Sequence, residues 1–169
     1  GLLFPFATNE EYPGLLAYSD SDYANDVVKR LSTTGYVVFY NGVPVSWHSG
    51  LQRIVAQSST EAEYIALSEC AKEVVYLRQV LRDLHDSTTD QPTTILVDNK
   101  GAIDLVTNPV HHKRTKHIDV RYHFIRSQHE EGTVVVEKVH TDFNKADPFT
   151  KALVSTKYIP FRDALMHGA

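Results

Sequence analysis

Residues 32–49, STTGYVVFYNGVPVSWHS, contain two runs of β-branched and aromatic residues on either side of the pair Asn41-Gly42. Such runs are typical of strands, and an Asn-Gly pair between them is a strong signal for a two-residue hairpin turn. The run that precedes them, LLAYSDSD, also has strand character. The sequence therefore predicts an antiparallel meander with strands at residues 15–22, 32–42 and 43–49.

A long helical pattern follows this meander. Ser58 with Glu61, and Thr60 with Glu63, each fit a capping box at a helix start. Apolar residues then recur at helical spacing, at Leu67, Cys70, Val74, Leu77, Leu81 and Leu84. The pattern predicts one helix that ends near Asp86, and it places the single cysteine in the core.

The second half of the chain alternates between strand and helix patterns. It predicts a strand at 93–98, helices at 99–108 and 116–132, a strand at 133–140 and a last helix that starts at Asp147-Pro148. The simplest architecture for this order is an α/β fold, with a five-stranded mixed sheet and helices on both faces.

Length and composition predict one folded domain. Residues 1–14 contain Pro5, Pro13 and Gly14 and are interpreted as a linker or lead-in, which leaves 15–169 as the domain. No stretch approaches the roughly 20 apolar residues of a membrane helix, and no signal peptide is evident. One cysteine among 169 residues fits a reducing, intracellular setting. The oligomeric state is not indicated.

The net charge of −4 argues mildly against nucleic acid as a partner, because polyanion binders usually carry a basic surface. The charge is uneven, however. The segment HHKRTKH, residues 111–117, holds three cations and three histidines. Net charge therefore does not decide the question.

Four carboxylates lie at the ends of predicted elements, where they can converge on one point. Asp20 and Asp98 end strands, Glu63 opens the long helix, and Asp147 lies in a late turn. Converging carboxylates repel each other unless a cation lies between them, and hard oxygen ligands suit Mg²⁺ or Mn²⁺. Two such ions about 4 Å apart are a known device for phosphoryl transfer. The pattern thus favours a metal-dependent nuclease.

Each carboxylate also has a structural interpretation. Glu63 lies within about 40° of the apolar helical stripe, where an unpaired acid is costly, but it could instead form the capping box with Thr60. Asp22 shares a strand face with Asp20, and the pattern does not choose between them. Asp98 could cap the next helix, although Asn99 could do so equally well. For Asp147, which precedes a proline, the pattern alone favours a helix cap.

Five motifs together resemble a known family. They are YSDSD, STEAEY, VDNKGAI, RTKHIDVRYHFIR and NKADPFTKAL, in this order. Residues 14–155 resemble the ribonuclease H domain of copia-type LTR retrotransposon polyproteins. The resemblance implies a ribonuclease H fold and two bound Mg²⁺ ions, for which Mn²⁺ can substitute. The catalytic and metal-binding set that it implies is Asp20, Glu63, Asp98 and Asp147, and it therefore selects Asp20 over Asp22. Tyr23 stands where the family commonly has tryptophan, a conservative aromatic change.

The resemblance also implies a substrate and a setting. The substrate is an RNA/DNA hybrid, the partner is the reverse transcriptase polymerase domain of the same polyprotein, and the location is a cytoplasmic virus-like particle. A histidine before the last aspartate helps product release in many relatives, and His140 is the nearest candidate, although a plain strand-end histidine is favoured. We expect contacts to nucleic acid from Lys29, Arg30, Ser58, Ser59, Thr60, Asn99, Lys113, Arg114 and Lys116.

Two other functions remain open at this stage. An integrase or junction resolvase would also use clustered acids, but such enzymes lack the KHID and ADPFTKAL motifs. A ribonuclease H-like module without catalytic activity would position nucleic acid for a reverse transcriptase. The presence of all four acids argues against this second alternative.

Overall fold

The computed structural model describes residues 14–108 and 116–167. Within these ranges five strands form one sheet, in the spatial order β3-β2-β1-β4-β5. The strands are β1 (Leu15–Asp22), β2 (Thr33–Tyr40), β3 (Val43–Leu51), β4 (Thr93–Val97) and β5 (Val134–Lys138). β1, β2 and β3 pair antiparallel, whereas β4 pairs parallel with both β1 and β5. The predicted mixed sheet is confirmed.

The hairpin between β2 and β3 turns at the predicted Asn-Gly pair. Asn41 has φ 48° and Gly42 has φ 83°, so both residues are left-handed, as a type I′ turn requires. The predicted second strand at 32–42 had included these two turn residues.

Four helices and three short 3₁₀ turns complete the described part of the chain. The helices are α1 (Ser59–Asp83), α2 (Lys100–Thr107), α3 (Lys116–Glu130) and α4 (Ser155–His167), and the turns are Ser87–Asp90, Thr141–Phe143 and Asp147–Phe149. The start of α1 has the Ser58 cap of the first predicted capping box, since the Ser58 hydroxyl accepts from the Glu61 amide at 3.1 Å. The return bond differs from the usual box, because the Glu61 carboxylate accepts from the Gln57 amide and not from that of Ser58. Thr60 lies inside the helix and does not cap it.

The sheet separates two cores, and helices lie on both of its faces as predicted. On one face Ala17, Val38 and Ile95 pack with residues of α1, α2 and α3 such as Leu67 and Ile125. Cys70 belongs to this core and is fully buried. On the other face, residues such as Tyr18, Phe39 and Leu96 pack with Ala146 and with Leu165 of α4.

The prediction of a last helix from Asp147-Pro148 is wrong. The chain makes a 3₁₀ turn at Asp147–Phe149, and α4 begins only at Ser155 and contains Pro160. Thr150 explains why the turn is short. Its hydroxyl lies within hydrogen-bond distance of the Asp147 carbonyl and of Asp20 in β1, and these contacts hold the chain against the sheet, so that no helix continues from the turn. Ala146 and Phe149 pack on the sheet, which fixes the turn there.

Two predicted segments fall largely outside the described residues. They are the lead-in at 1–14, apart from Gly14, and the basic segment at 111–117, apart from the first residues of α3. Among the described helices, none is both long enough and apolar enough to cross a membrane.

Candidate active site

Asp20 lies near the end of β1 and is almost fully buried, with 3% of its surface exposed. Its Oδ2 atom accepts a hydrogen bond from the Thr150 hydroxyl at 2.5 Å. Burial raises the pKa of Asp20 to about 6, although the Thr150 bond and the charge of Lys151 act in the opposite direction. The fold therefore holds this carboxylate where its charged form is costly.

Glu63 reaches the same place from the first turns of α1. Its Oε1 atom accepts a hydrogen bond from the Ser21 amide at 3.3 Å. Its Oε2 atom is buried and has no hydrogen-bond partner in the described part of the chain. Burial raises the pKa of Glu63 well above its ordinary value, and the charges of Asp20 and Asp98 raise it further. A buried oxygen without a partner needs a ligand or another explanation.

Asp98 directly follows β4, the parallel neighbour of β1. Because parallel strands end at the same edge of a sheet, Asp98 is brought next to Asp20. The cap of α2 is Asn99, whose side chain accepts from the Ala102 amide at 3.1 Å, so Asp98 is not needed as the cap. One carboxylate oxygen from each of Asp20, Glu63 and Asp98 lies within 4.8 Å of the others.

This group of three carboxylates fits a divalent cation. Oxygen ligands of this kind are those that Mg²⁺ and Mn²⁺ prefer. Burial first, and then the charges of neighbouring carboxylates, raise the pKa values of Asp20 and Glu63, so the charged forms of both side chains are costly. A cation bound here would relieve that repulsion and would provide a partner for the free Oε2 atom of Glu63.

Asp147 belongs to the same site but contacts a cation of the protein itself. It is 5% exposed, and its Oδ1 atom lies 2.5 Å from the Nζ atom of Lys151. The Thr150 hydroxyl, which bonds to the Asp20 carboxylate, also lies 3.0 Å from the Asp147 carbonyl, so Asp20 and Asp147 are neighbours. No side chain caps the turn at Asp147–Phe149 among the described residues, so the helix-cap interpretation of Asp147 is wrong.

Comparison with known proteins identifies the relatives of this chain. No protein-family model matches it. The Pol polyprotein of transposon TNT 1-94 from Nicotiana tabacum is 42% identical over 146 residues, which is 86% of this chain. That of transposon RE1 from Arabidopsis thaliana is 42% identical over 147 residues, or 87% of the chain. The match spans only 11% and 10% of the length of these two relatives.

The chain belongs to the copia-type retrotransposon Pol family. It corresponds to one segment of these polyproteins, and the predicted family is confirmed.

Solved structures identify the fold of this Pol segment as that of ribonuclease H. LC11-RNase H1, isolated from compost by a metagenomic approach, has a TM-score of 0.56 at 16% identity, covering 81% of this chain and 92% of that protein. For the same enzyme in complex with an RNA/DNA hybrid the TM-score is 0.55, and the match covers 80% of this chain and 93% of that protein. For the protease-reverse transcriptase of prototype foamy virus the TM-score is 0.53 at 15% identity, and the match covers 90% of this chain and 20% of that protein.

The predicted nucleic-acid contacts of the Pol segment lie in three places. Lys29 and Arg30 are exposed in the connection that follows β1. Ser58, Ser59 and Thr60 form the start of α1, close to Glu63 in the chain, and Asn99 caps α2 beside Asp98. Lys113 and Arg114 lie outside the described residues, and Lys116 starts α3 with a side chain that is not described.

His140 is well exposed in the Pol segment, and its ring caps the 3₁₀ turn at Thr141–Phe143. Its Nδ1 atom accepts from the Asp142 amide at 3.2 Å, and it lies 3.7 Å from the carboxylate of that residue. The residue therefore has a local role as the cap of this turn, two residues beyond the end of β5. The role in product release stays a prediction.

Sequence reasoning missed three residues that position the acids, although all three are in the motif NKADPFTK. Asn144 is fully buried and donates to the Ser19 carbonyl at 3.0 Å, which ties the turn to β1. Thr150 bonds to Asp20, and Lys151 pairs with Asp147. The motif NKADPFTK contains all three residues, but only its Asp147 was predicted to belong to the site.

Gly35 allows this turn to approach the sheet. It pairs with Asp20 across β1 and β2. A Cβ atom on Gly35 would lie 2.5 Å from Thr150 Cγ2 and 3.0 Å from Phe149 Cβ. The absence of a side chain at this position therefore lets Thr150 reach the carboxylate of Asp20.

Proposed function

We propose that this domain is a ribonuclease H that hydrolyses the RNA strand of RNA/DNA hybrids with the help of divalent metal ions. The observation that carries the proposal is the convergence of Asp20, Glu63 and Asp98 on one point, with ligand oxygens within 4.8 Å of each other. Membership of the Pol family and the ribonuclease H fold support the same reaction.

The four acids have distinct positions in the proposed reaction. Asp20, Glu63 and Asp98 would hold one ion, and Asp20 with Asp147 would hold the other. Bound Mg²⁺ or Mn²⁺ supplies the positive charge that activates a water and stabilises a leaving oxygen in phosphodiester hydrolysis. The products would carry 5′-phosphate and 3′-hydroxyl ends.

The hybrid would be held by groups around this site. Exposed cations such as Lys29 and Arg30 can neutralise phosphates, which positions the duplex without reading its sequence. Ser58 and Thr60 lie at the start of α1, the helix that carries Glu63, and Asn99 follows Asp98 in the chain. Their hydroxyl and amide groups would donate to backbone oxygens. Preference for RNA would rest on contacts to 2′-hydroxyl groups across the wide minor groove.

The partner and the setting are proposed from the relatives. The matched Pol polyproteins are about ten times longer than the matched segment, and the foamy virus protein joins a similar fold to a reverse transcriptase. We therefore propose that the domain works beside a polymerase domain during reverse transcription, inside a cytoplasmic virus-like particle.

The test is cleavage of an end-labelled RNA/DNA hybrid by the purified domain. We expect the RNA strand to be cut with Mg²⁺ or Mn²⁺ and to stay intact in EDTA. Asp98→Asn, which keeps the shape but removes one ligand charge, should reduce the rate by about a hundredfold or more. Hybrid binding should persist in this variant.

Two results would contradict the proposal. Metal-dependent cleavage that is unchanged in Asp98→Asn would place the chemistry elsewhere. Hybrid binding without cleavage, by the domain alone and with a polymerase domain added, would support a module that only positions nucleic acid.

A further inference from the structure

Lys151 is a cation next to the acidic site. It belongs neither to the proposed metal ligands nor to the proposed contacts with nucleic acid. Its Nζ atom lies 2.5 Å from Oδ1 of Asp147, four residues earlier in the chain. The Asp147 side chain is 7% exposed, whereas that of Lys151 is 41% exposed. The pair therefore joins a buried carboxylate to an ammonium group that enters from the solvent side.

This ion pair differs from two other lysine–carboxylate pairs in the described part of the chain. In Lys72–Glu69 and Lys157–Asp142 both partners are more than a third exposed, so water screens their charges. Asp147 is shielded from water, and a buried carboxylate without a partner is unfavourable. Lys151 therefore stabilises the charge of Asp147 when no other cation is present.

The carboxylate of Asp147, which Lys151 contacts, is also a ligand of the ion that Asp20 and Asp147 would share. An ammonium group at 2.5 Å from Oδ1 and a divalent cation bound by that carboxylate would repel each other strongly at such short range. The lysine side chain is long and flexible, so its ammonium can leave without a change in the backbone. The ion held by Asp20, Glu63 and Asp98 should be affected less. The ion pair of Lys151 is with Asp147, and the lysine acts on Asp20 only through its charge.

We propose that Lys151 is a tethered counter-ion that occupies the Asp147 side of the site and must be displaced before a metal ion binds there. The inference rests on the proposed function, since it assigns Asp147 to the second ion. Competition from Lys151 makes the two ions differ in affinity. The ion held by the group of three carboxylates binds first and tightly, and the ion shared with Asp147 binds weakly. Lys151 thus acts on the reaction through Asp147, as a positioning residue.

The test measures metal binding without nucleic acid. Mn²⁺ is titrated into the metal-free domain, and the unbound ion is followed by electron paramagnetic resonance. In the unaltered protein we expect one tight and one weak site. Lys151→Met keeps the aliphatic stem and removes the charge, and it should tighten the weak site by about tenfold, an effect typical of close charge pairs.

Three controls keep the result specific. Lys72→Met removes the same charge from the exposed pair with Glu69 and should change neither site by more than about twofold. Lys151→Arg keeps the positive charge and should leave the second site weak. In an Asp147→Asn background, Lys151→Met should have a much smaller effect, because the carboxylate for which lysine and metal compete is gone and only the charge of Lys151 near Asp20 remains.

Thermal unfolding in EDTA gives a second readout that needs neither metal nor substrate. Lys151→Met should lower the melting temperature, and saturating Mn²⁺ should raise it more than in the unaltered protein, because the ion then supplies the missing partner. Equal Mn²⁺ affinities in Lys151→Met and the unaltered protein would overturn the proposal. If Mn²⁺ binding follows the expected pattern but the hybrid stays uncut, the counter-ion role stands and the proposed ribonuclease activity fails.

Discussion

The Thr150 hydroxyl has one proton and two acceptors within reach. These are Oδ2 of Asp20 at 2.5 Å and the Asp147 carbonyl at 3.0 Å. A hydroxyl donates one hydrogen bond at a time, and the bond to a charged oxygen is the stronger one. Thr150 therefore orients the Asp20 carboxylate while its neighbour Lys151 holds Asp147. Two consecutive residues thus connect the first and the last acid of the site.

At the level of single residues, the raised pKa of Asp20 predicts how stability depends on pH. In the folded protein the pKa is about 6, against an ordinary value of 3.8. Between these values the folded state binds the proton more tightly than the unfolded chain does. The contribution of Asp20 is therefore most favourable below pH 4, and it is lost as the pH rises through 6. The full loss should be on the order of 3 kcal/mol, because each unit of pKa shift corresponds to about 1.4 kcal/mol.

Urea unfolding in EDTA between pH 4 and pH 7 measures this effect, with Asp20→Asn as the reference. Subtracting the Asn variant removes the contributions of titrating groups that do not interact with Asp20. The charge of Asp20 also raises the pKa of Glu63, so the coupling between these two groups is part of the measured difference. The free energy of unfolding of the unaltered protein should fall relative to that of the variant across this interval. A difference that stays constant from pH 4 to pH 7 would show that Asp20 titrates normally.

At the level of elements, local patterns predicted most of the fold. The Asn41-Gly42 turn, the Ser58 cap and the Asn99 cap depend on neighbours in the chain, and the structure has all three. The apolar stripe of α1 was also predicted, with Leu67, Cys70 and Val74 fully buried, although Leu84 lies beyond the helix and is exposed.

The turn at Asp147 could not be predicted in this way, because distant contacts determine it. Asn144 bonds to Ser19 across 125 positions, and Thr150 bonds to Asp20 across 130. Local preference alone favoured a helix capped by Asp147, which is the conformation that an Asp-Pro pair adopts most readily. Docking on β1 and β2 overrides that preference. The same contacts place Lys151 at the site, which explains why it was missed.

Arg78 of α1 holds the connection between α1 and β4, and its replacement should destabilise the domain. It is 3% exposed and donates to the Thr89 carbonyl at 2.7 Å, and to the Gln91 carbonyl and the Thr93 hydroxyl at 2.8 Å each. Arg78→Met would leave these acceptors without their donor, at a cost of about 2–3 kcal/mol. Urea unfolding checks this, with Arg82→Met on the exposed side of the helix expected to change stability by less than about 0.5 kcal/mol. Equal effects of both variants would contradict the role of Arg78.

At the level of the whole molecule, the net charge of −4 has to be reconciled with binding to a polyanion. The acidic groups of the site account for part of that charge, and bound metal ions would offset them. Lys29 and Arg30 remain exposed in the connection after β1, without carboxylate partners in the described part of the chain. Binding of the hybrid should therefore depend on a few cations, and the slope of its salt dependence should reflect that small number.

Hybrid affinity measured against salt concentration tests this distribution of charge. Changing Lys29 and Arg30 together to alanine should weaken binding. It should also reduce the steepness of the plot of the logarithm of the association constant against the logarithm of salt concentration by about 1–2, because each neutralised phosphate contributes nearly one unit. The measurement uses Asp98→Asn protein in the presence of Mg²⁺, so that the RNA is not consumed. Lys72 and Arg82, changed together to alanine, remove the same charge from positions farther along α1 and should leave the slope unchanged. If both double variants reduce the slope equally, binding responds to net charge alone, and the connection after β1 does not contact the hybrid.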